Sequence, residues 1–124
     1  NLILKLGERG LVSVNRNNKK DKKAKDKTKA FALPSFTNNI VDTTGTGDAL
    51  LAYSSLSLVK SQSLIVSSII GSLAAANECE RDGNVAIESD EIMKKIDSVK
   101  NLSGYKITKK KSLRSNKSKK RRLI

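Results

Sequence analysis

The sequence predicts a mixed α/β fold on three observations. Short apolar runs bounded by glycine open the chain, a Gly-Thr-Gly turn follows an extended apolar piece, and segments of helical length come after it. The change from strand-like to helical spacing thus falls at a glycine turn.

Taken in order, Leu2-Ile3-Leu4-Lys5-Leu6 and Leu11-Val12-Ser13-Val14 flank Gly7-Glu8-Arg9-Gly10 and read as two strands joined by a Gly-bounded turn. The turn suits a phosphate contact or a plain surface hairpin. Residues 15–30 are rich in Lys and Asn with almost nothing apolar, so a flexible loop is expected there. Phe31-Ala32-Leu33 supplies a short strand, Pro34-Ser35 breaks it, and Asn39-Ile40-Val41 is expected to be extended again before the glycine turn.

Residues 49–59 carry apolar side chains around most of a helix, which predicts a helix starting at Asp48 and buried on several sides. Ser61 or Ser63 suits the cap of a second helix over residues 64–80, where Gly71, Ala74, Ala75 and Ala76 permit close helix contact. Asp82-Gly83-Asn84 ends it. Ser89 then offers a cap, Asp90 and Glu91 suit a first turn, and Ile92, Met93 and Ile96 form the apolar face of a third helix. The pattern dissolves after Val99. No internal repeat is present.

With 124 residues the chain allows one compact unit. It opens on Asn1 with a core-like strand directly behind, so a piece of a longer protein is expected. The single Cys79 and the absence of histidine exclude an intrachain disulfide and the usual zinc spacings, and fit a reducing, cytoplasmic setting. The longest apolar stretch, residues 64–76, is broken by serines and Gly71 and falls short of the roughly 20 residues a membrane helix needs.

The net charge of +13 is unevenly distributed: residues 15–30 hold +6 and residues 94–124 hold +12, leaving −5 for the rest. The basic character therefore belongs to a loop and a tail. Residues 1–99 form the expected folded domain, and residues 100–124 a basic, disordered tail able to contact polyanions non-specifically. After Tyr105 the tail has no aromatic residue to stack on bases.

Asp42-Thr43-Thr44-Gly45-Thr46-Gly47-Asp48 is the segment with chemistry. Glycines at a helix start let backbone N–H groups converge on an anion, and the helix dipole adds to the field. The Walker ending and the third glycine of the dinucleotide fingerprint are both missing. An acid at such a helix start, Asp48, fits a general base taking the proton of a hydroxyl that attacks a phosphate. Spacing alone equally allows Asp48 as a helix cap with ordinary turn glycines beside it.

This string closely resembles the C-terminal signature of the ribokinase-like, or PfkB, carbohydrate kinases, Asp-Thr-x-Gly-Ala-Gly-Asp before a helix. Leu6-Gly7-Glu8-Arg9-Gly10 is similar to the family's upstream Leu-Gly-x-x-Gly turn, and residues 73–83 resemble its alanine-rich helix ending in Arg-x-Gly. The resemblance implies the C-terminal part of an α/β/α sandwich and ATP-dependent phosphorylation of a sugar or sugar phosphate. It implies Asp48 as catalytic base and the N–H groups of Gly45, Thr46 and Gly47 as anion hole. Lys5 and Gly7 would lie by the nucleotide phosphates, with Gly71 and Ser72 bordering the adenine. ATP with Mg²⁺ is implied, and K⁺ at a site made by Asp42, Thr44, Glu78, Arg81 and Gly83.

Three positions depart from the family pattern: Thr46 replaces the usual alanine, Lys5 a common threonine, and Glu78 a small apolar residue. The family's sugar-binding half and its Mg²⁺-associated Asn-x-x-Glu segment have no counterpart among these residues, so low activity and marginal stability are expected of the chain alone. Two other classes fit the sequence: a basic nucleic-acid-binding protein working through residues 109–124, and a kinase-fold remnant that has lost the reaction.

Overall fold

The computed structural model describes residues 1–16 and 28–104. The fold is mixed α/β. Strands β1 (Leu2–Lys5), β2 (Leu11–Arg16) and β3 (Thr28–Leu33) precede helices α1 (Thr46–Ser61), α2 (Leu64–Cys79) and α3 (Ser89–Leu102). The sheet has the order β1-β2-β3 and is antiparallel throughout. Asn15 and Arg16 pair with Lys29 and Thr28, so the strands run into both ends of the Lys-rich segment. Ladder hydrogen bonds do not need apolar side chains, which is why β2 ends later and β3 begins earlier than composition indicated. Residues 17–27 of that loop, and the tail from residue 105, lie outside the described residues.

Alternation sorts the sheet into two faces. Leu11 and Ser13 are buried toward the helices, whereas Leu2 and Leu4 stand exposed on the opposite face, in register with Val14 and Val12. The helix-side contact is partly polar. The Ser68 hydroxyl donates to the Leu64 carbonyl at 2.7 Å, so at 2.7 Å from it the Ser13 hydroxyl must be the donor.

Small residues join α1 to α2. A Cβ on Gly71 would stand 2.9 Å from the Leu50 carbonyl oxygen, and the buried Ser67 hydroxyl donates to the Ser54 carbonyl at 2.6 Å. The core centres on Leu73, Ala74 and Ile92, with Phe36, Tyr53 and Ile96 packed around them. The Tyr53 hydroxyl donates to the Ile87 carbonyl and so ties α1 to the segment entering α3.

Several expectations are corrected. Residues 39–41 form no strand; the N–H groups of Val41 and Asp42 instead donate to the Cys79 carbonyl at 2.9 and 3.1 Å. A helix end leaves carbonyls free, and this one captures the incoming loop. Helix α1 begins at Thr46, two residues before Asp48, because Gly45 takes the cap position in the left-handed conformation at φ 77°. It is not buried on several sides, since Leu51, Leu56 and Val59 are exposed.

Ser63 caps α2 through its hydroxyl, which accepts the Val66 N–H at 3.3 Å. In α3 the cap is Glu88, not Ser89, and the Glu91 carboxylate reaches back to accept the Glu88 N–H at 2.8 Å. Met93 is 58% exposed and the helix buries Lys95 instead, at 6%. Burial of that ammonium is offset by the Glu80 carboxylate 2.5 Å away. Glu80 also accepts the Asn38 N–H at 2.7 Å, which joins α3, the end of α2 and the loop after β3. The helix runs three residues past Val99 to Leu102.

Candidate functional site

The segment 42–48 crosses from the Cys79 carbonyl to the first turn of α1. Its turn is built from short local bonds. The Asp42 carboxylate accepts the Thr44 N–H at 2.9 Å, and the Thr46 hydroxyl donates to the Thr43 carbonyl at 2.8 Å. Left-handed Gly45 follows, a conformation that costs a side chain about 1–2 kcal/mol. A Cβ there would also meet Asn84 Oδ1 at 2.5 Å and Glu78 Oε1 at 2.7 Å. Both the backbone angle and the space therefore require glycine at this position.

Lys5 arrives from the sheet. Its ammonium donates to the Thr46 hydroxyl, across 41 positions of sequence. Because that hydroxyl gives its own proton to Thr43, it is left as an acceptor for Lys5. A strand cation is thus set on the first residue of α1, where the helix dipole is already positive.

A cavity of about 200 Å³ opens beside this contact, with Lys5, Gly7, Thr43, Thr46, Ser72 and Cys79 in its wall. A neighbouring cavity of about 350 Å³ is lined by Ile3, Gly47, Leu51 and Leu58, and Leu50 borders both. Asp48 is exposed on the first turn of α1 and lines neither cavity. Gly71 is turned toward α1 and is likewise outside the cavity that Ser72 borders.

The residues read as a cation site fall into two groups. Asp42, Thr44 and Gly83 come together, the second Asp42 oxygen accepting the Gly83 N–H at 3.2 Å. Arg81 donates its N–H to the Glu78 carbonyl at 3.1 Å and sends its side chain to the Glu91 carboxylate. The Glu78 side chain is buried, with one oxygen accepting the Val85 N–H at 2.9 Å and the other without a partner among the described residues. Among those residues no group of three or more His, Cys, Asp or Glu side chains converges. No helix among them is long and apolar enough to cross a membrane.

Hydrogen bonds, first that from the Thr44 N–H, hold the Asp42 carboxyl below its ordinary value of 3.8. A lowered folded value means that the stabilisation is present above 3.8 and is lost as pH falls through the lowered value. Wild type and Asp42→Ala should therefore differ in Tm at neutral pH and converge on acidification, as thermal melts across a pH series would report. A gap that stays constant down the series would remove the carboxylate charge from the account.

Sequence reasoning missed part of the cavity wall. Thr37 and Ile40 reach it through an irregular loop that gives no periodic signal. Ala75, Ala76 and Cys79 do carry one, because with Ser72 they repeat at the i, i+3, i+4, i+7 spacing of a single helix face. Compared with protein-family models, curated proteins and solved structures, the chain matches none.

Proposed function

We propose that the chain is the ATP-side, C-terminal part of a ribokinase-like carbohydrate kinase and contributes to ATP-dependent phosphorylation of a sugar hydroxyl. The observation that carries this reading is the Lys5 ammonium held on Thr46 at the start of α1, beside left-handed Gly45 and over a cavity. Such a place favours an anion through charge, helix dipole and backbone donors together. Its volume of about 200 Å³ is below the roughly 300–1,000 Å³ of a complete ligand pocket, so part of a nucleotide would lie across the open surface. In this reading the one-sided sheet belongs to an α/β/α sandwich whose second helix layer would cover Leu2 and Leu4.

In the reaction, Asp48 takes the proton of the acceptor hydroxyl as its oxygen forms a bond to the terminal phosphorus of ATP. The bond from that phosphorus to the bridging oxygen breaks, and the leaving electron pair stays with ADP. The N–H groups of Gly45, Thr46 and Gly47 stabilise the charge on the moving phosphoryl group. Mg²⁺ bound with the nucleotide would neutralise part of the phosphate charge. The Asp42 carboxylate, an all-oxygen donor, fits a hard cation such as K⁺ beside Thr44 and Gly83.

The test is binding of a fluorescent ATP analogue to the full chain, to a chain ending at Gly104, and to Lys5→Met in each. Removing residues 105–124 controls for simple attraction of ATP to the basic tail. The nucleotide reading expects the shortened chain to bind as the full chain does and Lys5→Met to weaken binding about tenfold, as losing a charged hydrogen bond does. Binding that disappears with the tail would favour the polyanion-binding reading.

A further inference from the structure

We propose that Glu78 is a positioning residue for the phosphate loop, a role that rests on the phosphate-binding reading of residues 45–47. Its side chain is 1% exposed, on the stretch of α2 that passes behind Gly45. One carboxylate oxygen does two things at once. It accepts the Val85 N–H at 2.9 Å, and it stands 2.7 Å from the point a Gly45 Cβ would occupy.

The neighbouring residues complete a frame. Asp42 holds the Gly83 N–H, Glu78 holds the Val85 N–H, and between them Asn84 places its Oδ1 2.5 Å from the same Gly45 point. Residues 83–85 are thus fixed to two acids, and the bare face of Gly45 rests on the result. The glycine lies against oxygen atoms that only a residue without a side chain could approach so closely.

An acid in this place is costly. Taking a carboxylate out of water is penalised, and its second oxygen has no partner among the described residues. An apolar side chain could fill the space without that cost, but it could not hold the Val85 N–H. Glu78 therefore acts through Gly45, and lies outside the cavity wall.

Amide hydrogen exchange, followed residue by residue by NMR in the full chain, tests this directly. Glu78→Ala is expected to speed exchange about tenfold at Thr46 and Ala49, whose N–H groups donate to the Thr43 and Gly45 carbonyls, and Glu78→Gln, whose amide oxygen still accepts from Val85, to leave it near wild type. ATP binding by the same proteins should follow the same order. If Glu78→Ala does not fold, Glu78→Asp keeps the charge but falls a methylene short of Val85, and the same acceleration is expected. Unchanged exchange at Thr46 and Ala49 in whichever variant folds, or equal disruption by Gln and Ala, would overturn the proposal. Should exchange respond as expected while wild type binds no ATP, the positioning role stands and the nucleotide reading falls.

Discussion

Asp48→Asn is expected to lower ATP-dependent sugar phosphorylation by about 10²- to 10⁴-fold, the usual worth of a general base, while ATP affinity stays unchanged. The separation follows from where Asp48 sits. It is exposed on the first turn of α1 and borders neither cavity, so its removal takes nothing from the nucleotide side. Asparagine has the same shape but does not accept the proton. A change in Tm should be small, since a first-turn acid is worth about 0.3–1 kcal/mol through the helix dipole. The rate is best measured in the longest product of the same reading frame, with ATP binding and melting recorded on the same samples. An unchanged rate would remove Asp48 from the chemistry and leave it as a helix-start residue.

Gly10→Ala is expected to cost about 3 kcal/mol or more in folding stability, from a forbidden backbone angle and a steric overlap acting together. Gly10 closes the turn between β1 and β2 at φ 87° and ψ −131°, a region closed to residues with a Cβ. An added Cβ would fall 2.0 Å from the Leu33 carbonyl oxygen and 2.6 Å from the Pro34 carbonyl carbon. Those are backbone atoms, so no rotamer change relieves the overlap. Moving them would also disturb the ladder that pairs Leu11 with Leu33. Gly7 in the same turn provides the contrast: nothing lies within 4 Å of its Cβ position, and Gly7→Ala should cost about 1 kcal/mol from its positive φ alone. Urea titration of both variants measures the difference, and equal midpoints would contradict this account.

Those two glycines show where sequence reading succeeds and where it stops. The hairpin, both of its strands and the three helices were legible because each is specified by local spacing and by glycine punctuation. The Gly-Thr-Gly turn was legible for the same reason. What could not be read was any arrangement that depends on distant partners. Residues 39–41 looked like a strand, but their N–H groups found the end of α2 in place of a sheet. Met93 looked like core, but the helix buries Lys95 instead, and Glu80 just past the end of α2 offsets the burial of that lysine. At the candidate site, Lys5 and Thr46 were separately notable, but nothing local joins residues 41 positions apart. Glu78 was visible as a member of the implied K⁺ site and as a departure from the family pattern, but its place behind the bare face of Gly45 was not.

The Cys79 carbonyl gives these parts a common mechanical origin. One oxygen atom at the end of α2 receives the N–H groups of both Val41 and Asp42. Upstream of that atom runs the loop carrying Thr37 and Ile40 into the cavity wall, and downstream runs the turn leading to Gly45. The oxygen is therefore a pivot shared by the wall and the turn. A tilt of the last turn of α2 would carry both through the same arc, so the lever that reshapes the cavity would also re-aim the start of α1.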